Sequence, residues 1–205
     1  MNINTNETQQ HILDTGYKLI VSKGFSNVGL AEILKTAGVP KGSFYYYFAS
    51  KEQFGEEIIK NYFREYLAAL DEPFLAEDRS AYERLLDYWQ RWITTQSTTC
   101  VDQKCLVVKL SAEVADLSEP MRLALLSGSS EVIKRIAECI EAGSSDGSIG
   151  TMDALPTAEL LYNMWLGASL LSKLHRSADA LQRVMQATQS ILSCETVFST
   201  TVDHQ

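Results

Sequence analysis

A chain of 205 residues, 45% of them apolar, can bury a core as one large domain or as a small domain joined to a larger one. No apolar run approaches the ~20 residues of a membrane span. The polar start, Met1 to Glu7, lacks the basic-then-apolar pattern of a secretion signal, so a soluble cytoplasmic protein is expected. The net charge of −8 argues against nucleic acid until its distribution is seen. Residues 1–51 carry five basic and three acidic groups, a net of +2, and the remainder carries −10. A basic head can still bind DNA, because charges on the body are screened beyond a Debye length of ~8 Å.

Strand signals are nearly absent, and long stretches carry apolar residues at the helical period. The spacing predicts a first helix from near Thr8, with Ile12, Leu19 and Ile20 on one face, ending at Gly24. A second covers about 29–37, with Leu30, Ile33 and Leu34 inward, and Gly38 ends it. Val39-Pro40 makes a turn into a very short third helix, about 41–47. Ser50 is the expected cap of a long fourth helix, 51–70. Further helices are expected over about 79–98, 104–116, 119–142, 154–175 and 178–193, with Gly143 to Gly150 as the clearest loop. The expected fold is all-α, about nine helices. Residues 1–50 form a three-helix helix–turn–helix DNA-binding head, and 51–205 form a helical ligand-sensing and dimerisation domain.

The run Val39 to Lys51, VPKGSFYYYFASK, carries the chemistry of a DNA reader. Lys41 can reach a phosphate at the start of the short helix, and Gly42 leaves room for a sugar–phosphate backbone. Ser43 suits a phosphate or base-edge hydrogen bond. Phe44 and Phe48, four apart, should face the head's core. Tyr45, Tyr46 and Tyr47 spread around the helix, so at least one faces outward. Their hydroxyls can reach phosphates and a ring can pack on a thymine methyl, although a clamp between helices is the alternative. Lys51 adds a second cation nearby.

The four cysteines, Cys100, Cys105, Cys139 and Cys194, show neither a C-x-x-C pair nor zinc spacing, so no metal or other cofactor is expected. Cys105 sits at a helix start beside Lys104, with Lys109 four residues on, a setting that favours thiolate. A reactive thiol and a space-filling one both fit there. Cys139 is expected to be structural, and Cys100 and Cys194 incidental. Leu106, Leu110, Val114 and Leu117 should pack inward, and Ser118 and Pro120 mark the start of the next helix. Tyr88, Trp89 and Trp92, with Met164 and Trp165, suit either an apolar ligand pocket or ordinary core. The last two long helices are the expected homodimer surface, with Gly167, Ala168 and Ser169 allowing close approach.

The stretch Gly24 to Phe54 resembles the DNA-binding signature of TetR/AcrR regulators, with the ending Gly42-Ser43-Phe44-Tyr45-Tyr46-Tyr47-Phe48-Ala49-Ser50-Lys51. The resemblance implies DNA contacts from Lys41, Ser43, Tyr46, Tyr47 and Lys51, with Tyr45 as partly buried support. The chain departs from the pattern at Val28-Gly29, where Ser or Thr is usual. Cys105 to Glu119 and Leu161 to Ser177 resemble a subgroup that includes regulators of N-ethylmaleimide reductase and of acrylate metabolism. That resemblance implies that Cys105 senses electrophiles or oxidants and that Lys173 is a partner amine. Lys104 departs from the usual glycine. The expected function is a repressor of a DNA operator, released by a reactive electrophile at a cysteine. The alternative is induction by a non-covalent small apolar or acrylate-like ligand. A thiol-dependent enzyme acting on reactive carbonyls finds little support, because His11, His175 and His204 lack obvious orienting partners.

Overall fold

The computed structural model describes residues 3–76, 78–97 and 105–193. Among these residues the chain is all helix. In order they are α1 (Ile3–Lys23), α2 (Leu30–Ala37), α3 (Lys41–Tyr47), α4 (Lys51–Phe74), α5 (Ala81–Ser97), α6 (Leu106–Leu117), α7 (Glu119–Asp146), α8 (Ala154–His175) and α9 (Asp179–Ser193). The chain divides into two compact units, Met1–Leu70 with Thr98–Val132, and Asp71–Ser97 with Ile133–Gln205.

In the first unit, α1 to α3 fold around Ile12, Ile20, Ile33, Phe44 and Phe48, all buried. Leu19, Leu30 and Leu34 are only half-buried at the edge of this core. α1 begins by Ile3, so Thr8 lies inside it rather than capping it. α2 has no side-chain cap at Gly29 and ends on Gly38. Gly38 adopts the left-handed conformation, φ 66°, that glycine takes without strain, and this sets the turn into α3. His11 ties α1 to α2 through the Ala37 carbonyl at 3.0 Å. Ser50 caps α4 as its sequence suggests, its hydroxyl accepting from the Gln53 N–H at 3.1 Å.

α4 runs on to Phe74, through Pro73, rather than stopping at 70. α6 buries Leu106, Leu110 and Val114, but Leu117 is 55% exposed. It is the last residue of α6, where the chain turns at Ser118, so the inward stripe ends a turn earlier than its spacing suggests.

In the second unit, α7 runs through the first half of the expected loop to Asp146, and residues 147–150 form the turn that the composition suggests. The reason is local packing. Ile149 folds back on the helix, so a Cβ on Gly143 would lie 2.4 Å from its Cδ1. The Ile149 N–H donates to the Gly143 carbonyl at 3.0 Å, and the Ser145 hydroxyl is absorbed by the Glu141 carbonyl at 2.9 Å. The Gly and Ser residues that read as loop serve a tight helix end instead. α9 packs against α8 and α5.

Candidate DNA-reading face and cysteine site

α3 presents its outer face on a rigid aromatic base. Phe44 and Phe48 are fully buried and close on Phe54 of α4, with ring centroids 4.9–5.2 Å apart. That fixes which α3 residues point away. Lys41, Gly42, Tyr45 and Tyr46 are exposed, and Ser43 and Tyr47 are half-exposed. Tyr46 is 75% exposed, far more than an aromatic ring gains from without a partner. Tyr45, expected as partly buried support, is 49% exposed, with its ring edge on Phe44 and the Lys41 ammonium 5.6 Å from its centroid. Tyr47 stands edge-on to Tyr46 at 4.9 Å. A Cβ on Gly42 would meet nothing within 4 Å, so this end of α3 is open to an approaching backbone.

Lys51, which the resemblance implies as a DNA contact, lies against the turn between α1 and α2. Its ammonium donates to the Phe25 carbonyl at 2.8 Å and lies 4.4 Å from the Phe25 ring centroid. It therefore fixes the turn between α1 and α2, with N–H donors left over.

Glu113 of α6 holds the same turn. Its carboxylate accepts from the N–H of Phe25 at 3.1 Å and of Ser26 at 2.6 Å. Burial pushes its carboxyl upward, but the hydrogen bonds from Ser26 and Phe25 outweigh this and hold it below the usual carboxylate range. Nothing in the sequence marks this pair, because the partners lie 87 and 88 residues apart.

Cys105 occupies the N-cap of α6 and is 8% exposed. Burial pushes its thiol above the ordinary value, the reverse of what the helix start and neighbouring lysines suggest. The backbone N–H groups of Val108 and Val107 and the Tyr62 hydroxyl work against burial without reversing it. The Tyr62 hydroxyl also faces the Leu106 N–H at 3.5 Å, and its ring stacks on Tyr17 of α1, centroids 6.1 Å apart. The Lys109 charge helps hold the Glu113 carboxyl down. Lys104 lies outside the described residues, as do Cys100, Cys194 and His204.

Cys139 differs in kind. It faces an acceptor, the Ala81 carbonyl at 3.6 Å, and burial pushes its thiol up to about 11. Lys173 lies on α8 in the second unit with its side chain exposed.

The aromatic set fills its own space. Trp89 and Trp165 are fully buried and stack 4.6 Å apart at 7°, and Trp92 donates to the Ser169 hydroxyl at 2.8 Å. Trp165 donates to Thr188 of α9 at 3.0 Å, and Tyr88 packs 4.4 Å from Trp89. Met164, next to Trp165 in the chain, is half-buried. These contacts join the set to one another within the second unit, and the buried Trp89 Nε1 has no hydrogen-bond partner among the described residues.

Comparison with known proteins places the chain among regulators. The family of bacterial regulatory proteins described as tetR matches residues 12–58, and the tetracyclin repressor-like C-terminal domain matches residues 81–188. The chain is 38% identical to the HTH-type transcriptional repressor NemR of Escherichia coli (strain K12) over 93% of its length and 96% of that protein. The crystal structure of E. coli NemR in its reduced form superposes with a TM-score of 0.87, covering 93% of this chain and 100% of that one. The transcriptional regulator AcuR of Cereibacter sphaeroides is 33% identical over 84% of this chain and 79% of AcuR. A crystal structure of a TetR/AcrR family member shares 45% identity, with a TM-score of 0.81, over 91% of this chain and 98% of its own.

Proposed function

Since the chain belongs to the TetR family of bacterial regulatory proteins, we propose that it is a dimeric transcriptional repressor that lets go of its operator when Cys105 is modified. The observation that carries the DNA-binding part is the outward face of α3. Lys41, Tyr45 and Tyr46 stand exposed on a packed aromatic base, and Gly42 leaves space for a phosphate rail. A helix–turn–helix unit of this kind places its second helix in the major groove, with N-terminal residues at the base edges. Phosphate contacts from Lys41 and base contacts from Ser43 and Tyr46 follow from that placement. Tyr47 and Lys51 support them from the side.

One reader helix of seven residues reads too little sequence alone, so two heads on a two-fold axis are required. The surface of α8 supplies a seam. Leu160, Leu171 and Leu174 are exposed, and with Gly167 they recur at heptad-like spacing. Two copies packed through α8 and α9 would cover them as a four-helix bundle.

The switch rests on a difference between the two described thiols. Cys105 has hydrogen-bond donors turned toward it, which a thiolate or an oxidised sulfur accepts, whereas Cys139 faces a carbonyl. The helix that starts at Cys105 also carries Glu113, which holds the head's turn. An adduct too large for the buried N-cap would shift α6 and loosen that hold. A modifier must act unequally on the two head arrangements to release DNA, and a shift at Glu113 does so. The test of the whole reading is operator binding by full-length protein before and after electrophile treatment, in wild type and Cys105→Ser.

A further inference from the structure

A recess of about 350 Å³ lies within the second unit, bounded by Phe74 and Leu75 at the end of α4, Arg84 of α5 and Ala142 of α7. It is at the small end of ligand sites. Two arginines line it, and they are in opposite situations. Arg135 is committed, donating to Asp71 at 2.8 Å and to Glu138 at 3.3 Å. Arg84 makes no ion pair among the described residues. One of its terminal nitrogens, Nη1, donates to the Phe74 carbonyl. Its Nε is buried and has no hydrogen-bond partner among the described residues. Asp146 feels the Arg84 charge, but its oxygens are engaged by the N–H groups of Ala81 at 3.1 Å and Ser148 at 2.8 Å.

A guanidinium that is half-buried and makes no ion pair among the described residues is an unusual state, because buried charges and buried donors are ordinarily paired. Its geometry says what is missing. With Nη1 on Phe74, the side edge of the guanidinium is Nε–H and Nη2–H, the spacing that matches the two oxygens of a carboxylate, and because Nε is closed off here a ligand that takes this edge must shift the side chain. The apolar wall of Phe74, Leu75 and Ala142 suits a hydrocarbon tail. Asp71 and Glu138, which also line the recess and are held by Arg135, add no free positive charge to offset a second negative one, so a dianion such as phosphate fits poorly.

We propose that this recess binds a small organic monocarboxylate, held side-on by the Nε–Nη2 edge of Arg84 with its apolar tail against Phe74, Leu75 and Ala142. The site lies on different side chains from Cys105, and its occupancy does not depend on the thiol switch.

The test is calorimetric titration of the full-length protein with benzoate, using benzamide as the neutral match in shape and inorganic phosphate as the compact anion. The expected result is one saturable benzoate site per chain, with benzamide and phosphate weaker by at least about tenfold. Arg84→Met, which removes the fork, and Ala142→Leu, which narrows the recess and leaves Arg84 in place, should each weaken benzoate by at least about tenfold. Should Arg84→Met fail to fold, Ala142→Leu decides between the outcomes alone. Benzamide binding as tightly as benzoate would overturn the proposal, as would unchanged benzoate affinity in Ala142→Leu. Phosphate binding equal to benzoate would overturn the monocarboxylate assignment. Absence of saturable benzoate binding up to roughly 10 mM would overturn the site itself.

Discussion

Glu113 of α6 and Ser26 of the head are joined by a 2.6 Å hydrogen bond, from the Ser26 N–H to the Glu113 carboxylate. With the companion bond from Phe25, it fastens the turn between α1 and α2 to the helix that begins at Cys105. Removing it in Glu113→Ala should cost about 1–2 kcal/mol, the lower part of the range for hydrogen bonds to a charged group, since the site is half-exposed. Urea denaturation reads that loss. The same variant should show a smaller difference in operator affinity between modified and unmodified protein.

The pH dependence of this link has a definite sign. The Glu113 carboxyl is held below its ordinary value in the folded protein. Its contribution to stability is therefore complete above the ordinary carboxylate pKa and is lost as pH falls through the lowered one. Glu113→Gln should lose stability against wild type at neutral pH and lose less on acidification, a comparison that thermal melts at several pH values can make.

Lys41 and Lys51 should separate in two assays. Lys41→Ala is expected to weaken DNA binding across sequences and to reduce the salt slope by about 0.9. Lys51→Ala removes the bond to the Phe25 carbonyl, so it should also lower the melting temperature. Ser43→Ala and Tyr46→Ala should change sequence preference with little change of slope. Equal melting temperatures for wild type and Lys51→Ala would show that its hold on the turn is idle.

Alkylation of Cys105 by iodoacetamide should accelerate steadily from pH 7 to 9 without levelling off, because burial holds the thiol above its ordinary value. Cys139, pushed to about 11 and facing a carbonyl, should react more slowly throughout. Tyr62→Phe removes one donor to Cys105 and should slow the reaction further. A rate plateau below pH 8 would contradict the buried-thiol description.

Leu171→Glu and Leu174→Glu place charges on the exposed seam of α8. Sedimentation should show a dimer for wild type and a shift toward monomer for the variants, with operator affinity falling in parallel. Dimers that survive both changes would put the interface elsewhere.

Much of this architecture could be read from sequence where the signal is local. The α3 boundaries and the burial of Phe44 and Phe48 follow from a dense motif, and the cap at Ser50 follows from its side-chain chemistry. Signals failed where packing from afar decided. The Gly143 to Asp146 segment has the composition of a loop, but Ile149 closing on Gly143 keeps it helical. The helix start and lysines suggested a thiolate at Cys105, and burial, which no spacing reveals, reversed it. Glu113 was invisible because its partners are distant in the chain. The α5–α8 aromatics announced an apolar cluster without saying that their rings would meet.

The central claim is that covalent change at Cys105 releases the operator. The most direct test is intact-protein mass spectrometry paired with operator-binding anisotropy on the same samples, during titration with N-ethylmaleimide. In wild type, loss of binding should track the first adduct, mapped to Cys105, and Cys105→Ser should keep its operator at reagent levels that empty the wild type. Release by Cys105→Ser at the same reagent level, or wild type that carries the Cys105 adduct and still holds DNA, would contradict the account.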